Sequence, residues 1–167
     1  AWLASPFTAF SGAAYAYRLR RAETYCTPKV NSLGCTPFVG FTGLPTAVAS
    51  SGFEVLASNV RNQKVGIVVY GVDGPAAAPF AGGTLCVGAP VRRSTLASSG
   101  GSPVCTHDCS GLWRLDLNAF AAGALGGNPH PELRVPGTFV HCQWWGRDPG
   151  ASSGSALSDG VRYQVVE

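Results

Sequence analysis

The sequence predicts an all-β protein: an antiparallel sandwich of jelly-roll or Greek-key type, with one short helix and an extended N-terminal strand segment. Three observations predict it. Short apolar runs, alternating or continuous, recur along the chain, as the strands of a half-buried sheet require. Turns rich in glycine and proline separate them, drawn from 22 Gly and 12 Pro in 167 residues. Charged residues make up 13% and aromatics 10%, the reverse of the highly charged, aromatic-poor composition of disordered chains. The length suits one domain, or one domain with an extension. A closed barrel is the second architecture, and no internal repeat is visible.

Taken in order, residues 1–24 form the extended segment and residues 25–167 the sandwich. In "AYAYRLR" Tyr15, Tyr17 and Leu19 fall on one face and Ala14, Ala16, Arg18 and Arg20 on the other, a period of two that signals a strand. "YCTPKVNSLGCTP" reads as a loop bracketed by Cys26 and Cys35. "SGFEVLASNV" alternates Phe53, Val55 and Ala57 with Glu54, Leu56 and Ser58. "KVGIVVYGV" is almost continuously apolar, so both of its faces are expected to be covered, and "GVDGP" ends it as a turn. "GGTLCVGAPVRRSTL" supplies one or two strands with Pro90 at a bend, and "SSGGSP" is a loop. In "GLWRLDL" Leu112, Arg114 and Asp116 oppose Trp113, Leu115 and Leu117. "NAFAAGALGG" is the one helical stretch, capped by Asn118 and stopped at Gly126 and Gly127. "PGTFVHCQWWGRDPG" is a strong strand closed by a turn, "SSGSALSDG" a loop, and "VRYQVVE" a final strand.

Several stretches together are similar to a module found in secreted, largely uncharacterised proteins of planctomycetes and similar environmental bacteria. They are "YCTPKVNSLGCTP", "GFTGLPTAVASSGFEVLASNVRNQKVGIVVYG", "PFAGGTLCVGAPVRRS", "NAFAAGALGG" and "CQWWGRDPG…LSDGVRY". The resemblance runs from about Tyr25 to the C-terminus. It implies an extracellular β-sandwich and brings no catalytic residues with it. This chain departs from the family pattern in being nearly the module alone, with an unusual apolar segment in front.

Six cysteines in a lightly charged chain point to an oxidising compartment and a disulfide framework. Cys26 and Cys35 enclose a short turn and are expected to bridge. Cys86 with Cys109 would tie a strand to the loop before "GLWRLDL", leaving Cys105 with Cys142, although six cysteines allow fifteen connectivities. The rival reading of "CTHDC" is zinc, from Cys105, His107 and Cys109 with His141 and Cys142. That spacing is not a usual zinc spacing, and oxidising conditions disfavour thiolate ligands. No metal and no cofactor are expected.

Catalytic constellations do not assemble. "GASSG" matches G-x-S-x-G in letters but lacks the strand before and helix after that a nucleophile elbow needs. Nine acidic residues are scattered; Asp148 in "RDPG" and Asp159 in "SDG" sit in ordinary turn sequences. Three histidines have no evident nucleophilic partner, so an enzyme is not expected. Basic residues fall at Arg18, Arg20, Arg21, Arg92 and Arg93 and otherwise singly, with a net charge of +3, which is not the dense stripe of a nucleic-acid binder. No apolar run reaches the roughly 20 residues of a membrane-spanning helix.

Two partner classes remain. The first is a second copy of the chain. Before Arg18 the sequence is uncharged and carries Trp2, Leu3, Phe7, Phe10, Tyr15 and Tyr17. A signal peptide would need a positive start, and Pro6 interrupts the stretch, so the segment reads as mature protein. Its 25 extended residues could span roughly 80 Å at about 3.3 Å each, more than one domain edge requires. Such a segment suits strand addition, in which backbone hydrogen bonds give affinity and alternate side chains give specificity. Donated head to tail, it builds a filament. The expected function is therefore a structural subunit of an extracellular filament or surface fibre, contacting its neighbour through Trp2, Leu3, Phe7, Phe10, Tyr15, Tyr17 and Leu19. The alternative is a secreted lectin-like module. In "FVHCQWW", Trp144 shares a face with Val140 and Cys142, whereas Trp145 shares the other with Phe139, His141 and Gln143. Trp145, His141 and Gln143 would then form a surface for glycans.

Overall fold

A computed structural model describes residues 22–167. The contacts expected of Trp2, Leu3, Phe7, Phe10, Tyr15, Tyr17 and Leu19 lie outside the described residues. The chain forms β1 (Ala22–Tyr25), β2 (Phe38–Gly43), β3 (Phe53–Val60), β4 (Val65–Gly71), β5 (Pro75–Phe80), β6 (Gly83–Val87), β7 (Arg92–Arg93), β8 (Ala97–Ser98), β9 (Gly111–Asp116), α1 (Leu117–Ala121), β10 (Phe139–Arg147) and β11 (Ser155–Gln164). The fold is an antiparallel β-sandwich, as expected. One sheet runs β1-β11-β10-β4-β7, with β8 also on β4; the second runs β2-β3-β9; β5 and β6 form a separate hairpin. β3 pairs with β9 in one sheet while the strands that follow them, β4 and β10, pair in the other. Because both pairings are antiparallel, the two chain crossings between the layers lie at opposite ends of the sandwich.

Alternation explains the core. On β3, Phe53, Val55 and Ala57 are fully buried, and on β9 so is Trp113, with Leu115 nearly so. They meet Val68 and Tyr70 of β4, Val140, Cys142 and Trp144 of β10, and Val161 and Tyr163 of β11. Trp113 and Trp144 stack with centroids 5.8 Å apart. Trp113 fits because Gly66 and Gly146, register partners on β4 and β10, present no side chain to it; a Cβ on Gly66 would sit 2.6 Å from the indole. The β5–β6 hairpin covers the outer face of β10 at Gln143 and reaches the Gly71 end of β4, whereas Val65 at the other end of β4 is 44% exposed, so "KVGIVVYGV" is covered on both faces over only part of its length.

Several expectations need correction. The sheet takes in Ala22, Glu23 and Thr24, which pair with Tyr163, Arg162 and Val161, so the domain reaches back past Tyr25. "FVGFTG" and "PAAAPF" are strands that their glycines and prolines disguise; prolines are tolerated there because β5 lies in a two-stranded hairpin. "SALSDG" belongs to β11 and not to a loop. A register shift opposite Gln143–Trp145 lets the Ser158 hydroxyl accept from Trp144 N–H and the Asp159 carboxylate accept from Val39 N–H. The helix starts two residues earlier than read and ends at Ala121, short of Gly126 and Gly127: Asp116 caps it, its carboxylate accepting from Ala119 N–H at 3.0 Å. Asn118 lies inside it, donating to the carbonyls of Leu44 and Ser51.

The disulfides are also re-paired. Cys26 bonds Cys86 and Cys35 bonds Cys109, while Cys105 is exposed and Cys142 buried, both as thiols. Cys142 points into the sandwich core, out of reach of the exposed Cys105, and burial raises its thiol pKa. Each bridge joins distant segments instead of closing a local turn.

Candidate functional site

β10 carries the residues read as a ligand surface. Its period of two turns Val140, Cys142 and Trp144 inward and His141, Gln143 and Trp145 outward. The outward face is not open, because the β5–β6 hairpin lies over it. Gln143 is fully buried and acts as a splint. Its amide donates to Thr84 O at 2.9 Å and Ser158 O at 2.6 Å, and its carbonyl accepts from Cys86 N–H at 3.1 Å. His141 is also buried, edge-on to the Tyr25 ring. Burial first, and Arg162 second, lower its pKa and hold it neutral. The Tyr25 hydroxyl donates to Cys86 O at 2.6 Å, beside the Cys26–Cys86 bridge. His141 and Gln143 therefore fasten β1 and the hairpin to the sheet, and neither reaches solvent as a ligand contact.

Trp145 does reach it. The ring sits where the hairpin ends, edge-on to Phe80 at 5.3 Å, and its Nε1 donates to Ser155 Oγ at 3.1 Å. The Arg93 guanidinium stacks over the indole, 5.2 Å from the ring centroid. Trp145 and Arg147 of β10, Val65 and Ile67 of β4, and Arg93 and Leu96 line a groove of about 420 Å³. The spacing 145, 147 places Arg147 beside Trp145 on the same face, a signal present in "WWGR" that the reading of Trp145 alone missed. Arg93 comes from the pairing of β7 with β4, which no local pattern announces.

Around this groove the polar groups are already engaged. Lys29 Nζ donates to Ala81 O, Ser153 Oγ and Ser155 O at 2.7–2.8 Å. The neighbouring turn is tied down by Asp148, whose carboxylate accepts from Ser32 N–H, Ser32 Oγ and Arg61 Nη1. Burial alone would raise the Asp148 pKa; Ser32, then Arg61, outweigh it and hold the carboxyl below the ordinary value. "GASSG" lies in this turn, closed by Gly154 N–H to Ala151 O and Asp148 N–H to Gly154 O, with no elbow geometry. Among the described residues no three His, Cys, Asp or Glu side chains converge as metal ligands, and Cys109 is committed to Cys35.

The second feature is an edge. β2 has β3 on one side and, among the described residues, no strand on the other. Val39 N–H reaches the Asp159 carboxylate and residues 45–47 exchange hydrogen bonds with Val166, which leaves the stretch between them as open border. Phe38, Phe41 and Leu44 are 54%, 39% and 42% exposed along it. β1, the outermost strand of the facing sheet, is where residues 1–21 join the domain. No helix among the described residues is long and apolar enough to cross a membrane. No family model, no curated protein and no solved structure matches the chain.

Proposed function

We propose that this protein is a structural subunit of an extracellular filament or surface fibre, in which residues 1–21 of one copy add as a strand along β2 of the next. The observation that carries the reading is the border of β2. Among the described residues it is an unpaired strand edge with large exposed apolar side chains, the feature that folded proteins ordinarily shield. The chain also holds an apolar segment, uncharged before Arg18, that leads into β1, on the same side of the sandwich as β2. Contact between unlike surfaces of identical subunits propagates when its rotation does not close. Two disulfides support the extracellular, secreted setting, since such bridges persist where thiols are oxidised.

Negative-stain microscopy and sedimentation test this. The full chain forms polymers. Deletion of residues 1–21 abolishes them and leaves a folded domain that binds a synthetic peptide of residues 1–21. Phe41→Lys, on the acceptor border, blocks polymerisation without deleting anything. A full chain that sediments as a monomer at every concentration overturns the reading, as do polymers that survive the deletion.

A second reading is favoured by the Trp145 groove. A partly exposed indole beside fixed polar groups is a platform on which a sugar ring stacks, as in a lectin-like module. Here a glycan array is the test: binding lost in Trp145→Ala supports it, and an array without binding overturns it.

A further inference from the structure

We propose that the Trp145 groove takes a carboxylated saccharide, a uronate unit within a polysaccharide chain, with its carboxylate on Arg93 and Arg147 and its ring against the indole. This rests on the second reading above, that the groove binds a saccharide at all, and adds the chemistry of that ligand.

Three observations lead there. First, the donors left unused at the groove are cationic. Trp145 Nε1 is spent on Ser155 and all three Lys29 protons are spent within the fold. Arg93 and Arg147 have no acidic partner, since the ion pairs among the described residues are Arg61–Asp148 and Arg162–Glu23. A neutral sugar would bring hydroxyls that seek acceptors as well as donors, whereas a carboxylate brings acceptors alone. Second, no Asp or Glu lines the groove, so nothing repels an anion there. Third, the Arg93 guanidinium carbon lies over the indole, 5.2 Å from its centroid. A guanidinium meets a carboxylate through two parallel hydrogen bonds, and its contact with the ring removes part of the ordering cost of binding. The volume of about 420 Å³ lies within the range of small-ligand sites, roughly 300–1,000 Å³. A nucleic acid would need a longer basic track than two arginines provide.

Titration calorimetry with polygalacturonate and with its fully methyl-esterified form separates the outcomes, because the two polymers share a ring and differ in charge. The full chain binds the acid form, and esterification weakens binding by about tenfold or more, the worth of one lost charge-assisted contact. Arg147→Gln and Arg93→Gln each weaken acid binding by about tenfold with the melting temperature unchanged. Equal binding of both polymers, unaffected by the arginine variants, overturns the acidic assignment and leaves the saccharide reading standing. Binding of neither polymer overturns both. Binding that vanishes at 0.15 M salt, or that single-stranded DNA matches, overturns the proposal as non-specific attraction.

Discussion

Trp113 and Trp144 stack across the sandwich at 5.8 Å with their planes inclined by 20°, one indole from each sheet. Both are fully buried. The Trp113 ring is accommodated because two glycines, Gly66 and Gly146, stand side by side opposite it. The Trp113 N–H donates to Lys64 O at 2.9 Å, so the ring has a fixed position as well as a large buried area.

Gly146→Ala tests this packing. The new Cβ would overlap Trp113 Cη2 and Cζ2, atoms of a rigid ring with no room to retreat. Overpacking of this kind costs about 1–3 kcal/mol, and thermal unfolding should report it as a drop in Tm. An unchanged Tm would mean that the ring does not lie where described.

The disulfide pairing is checked by peptide mapping under non-reducing conditions, which should return Cys26–Cys86 and Cys35–Cys109. Cys105 should alkylate in the native protein, and Cys142 only after denaturation. The Cys35–Cys109 bridge spans 74 residues, for which loop entropy gives about 4 kcal/mol. The double replacement Cys35→Ser/Cys109→Ser should lower the denaturant midpoint accordingly.

Asp148 and Asp159 should respond to acid with opposite signs. The Asp148 pKa is lowered in the fold, so its stabilisation is complete above its unfolded value of about 3.9 and is lost as pH falls through the folded value. Asp148→Asn at neutral pH strands the buried Arg61 guanidinium and should cost about 3–5 kcal/mol. The Asp159 pKa is raised, chiefly by burial. Its ionisation therefore opposes folding as pH rises past the unfolded value. Asp159→Asn keeps an oxygen for Val39 N–H and should raise Tm at pH 7 while leaving it unchanged near pH 3. Melting curves of both variants between those pH values decide the matter.

Asp116→Ala removes the cap of α1 and the acceptor for Gly52 N–H at 2.7 Å. A loss of about 1 kcal/mol is expected from the cap, measurable by urea unfolding. Asn118→Asp should cost more, since it replaces the amide donor to Leu44 O and Ser51 O with a buried charge.

What the sequence determined by itself was local. The alternation of Phe53, Val55 and Ala57, and of Trp113 and Leu115, named strands and their buried faces, because side-chain direction in a strand depends only on parity. The inward Trp144 and outward Trp145 followed from the same rule. Tertiary structure decided whatever depended on a second segment arriving. Parity sends Gln143 and His141 outward, but the β5–β6 hairpin then covers Gln143 and Tyr25 packs on His141, and a strand's own residues carry no record of a roof. Cysteine spacing favoured the near partner, whereas the fold brings Cys26 to Cys86 and Cys35 to Cys109. Trp145 became part of a groove only when β7 placed Arg93 across it. Period and composition act over a few residues; pairing partners are chosen by the packing of the whole chain.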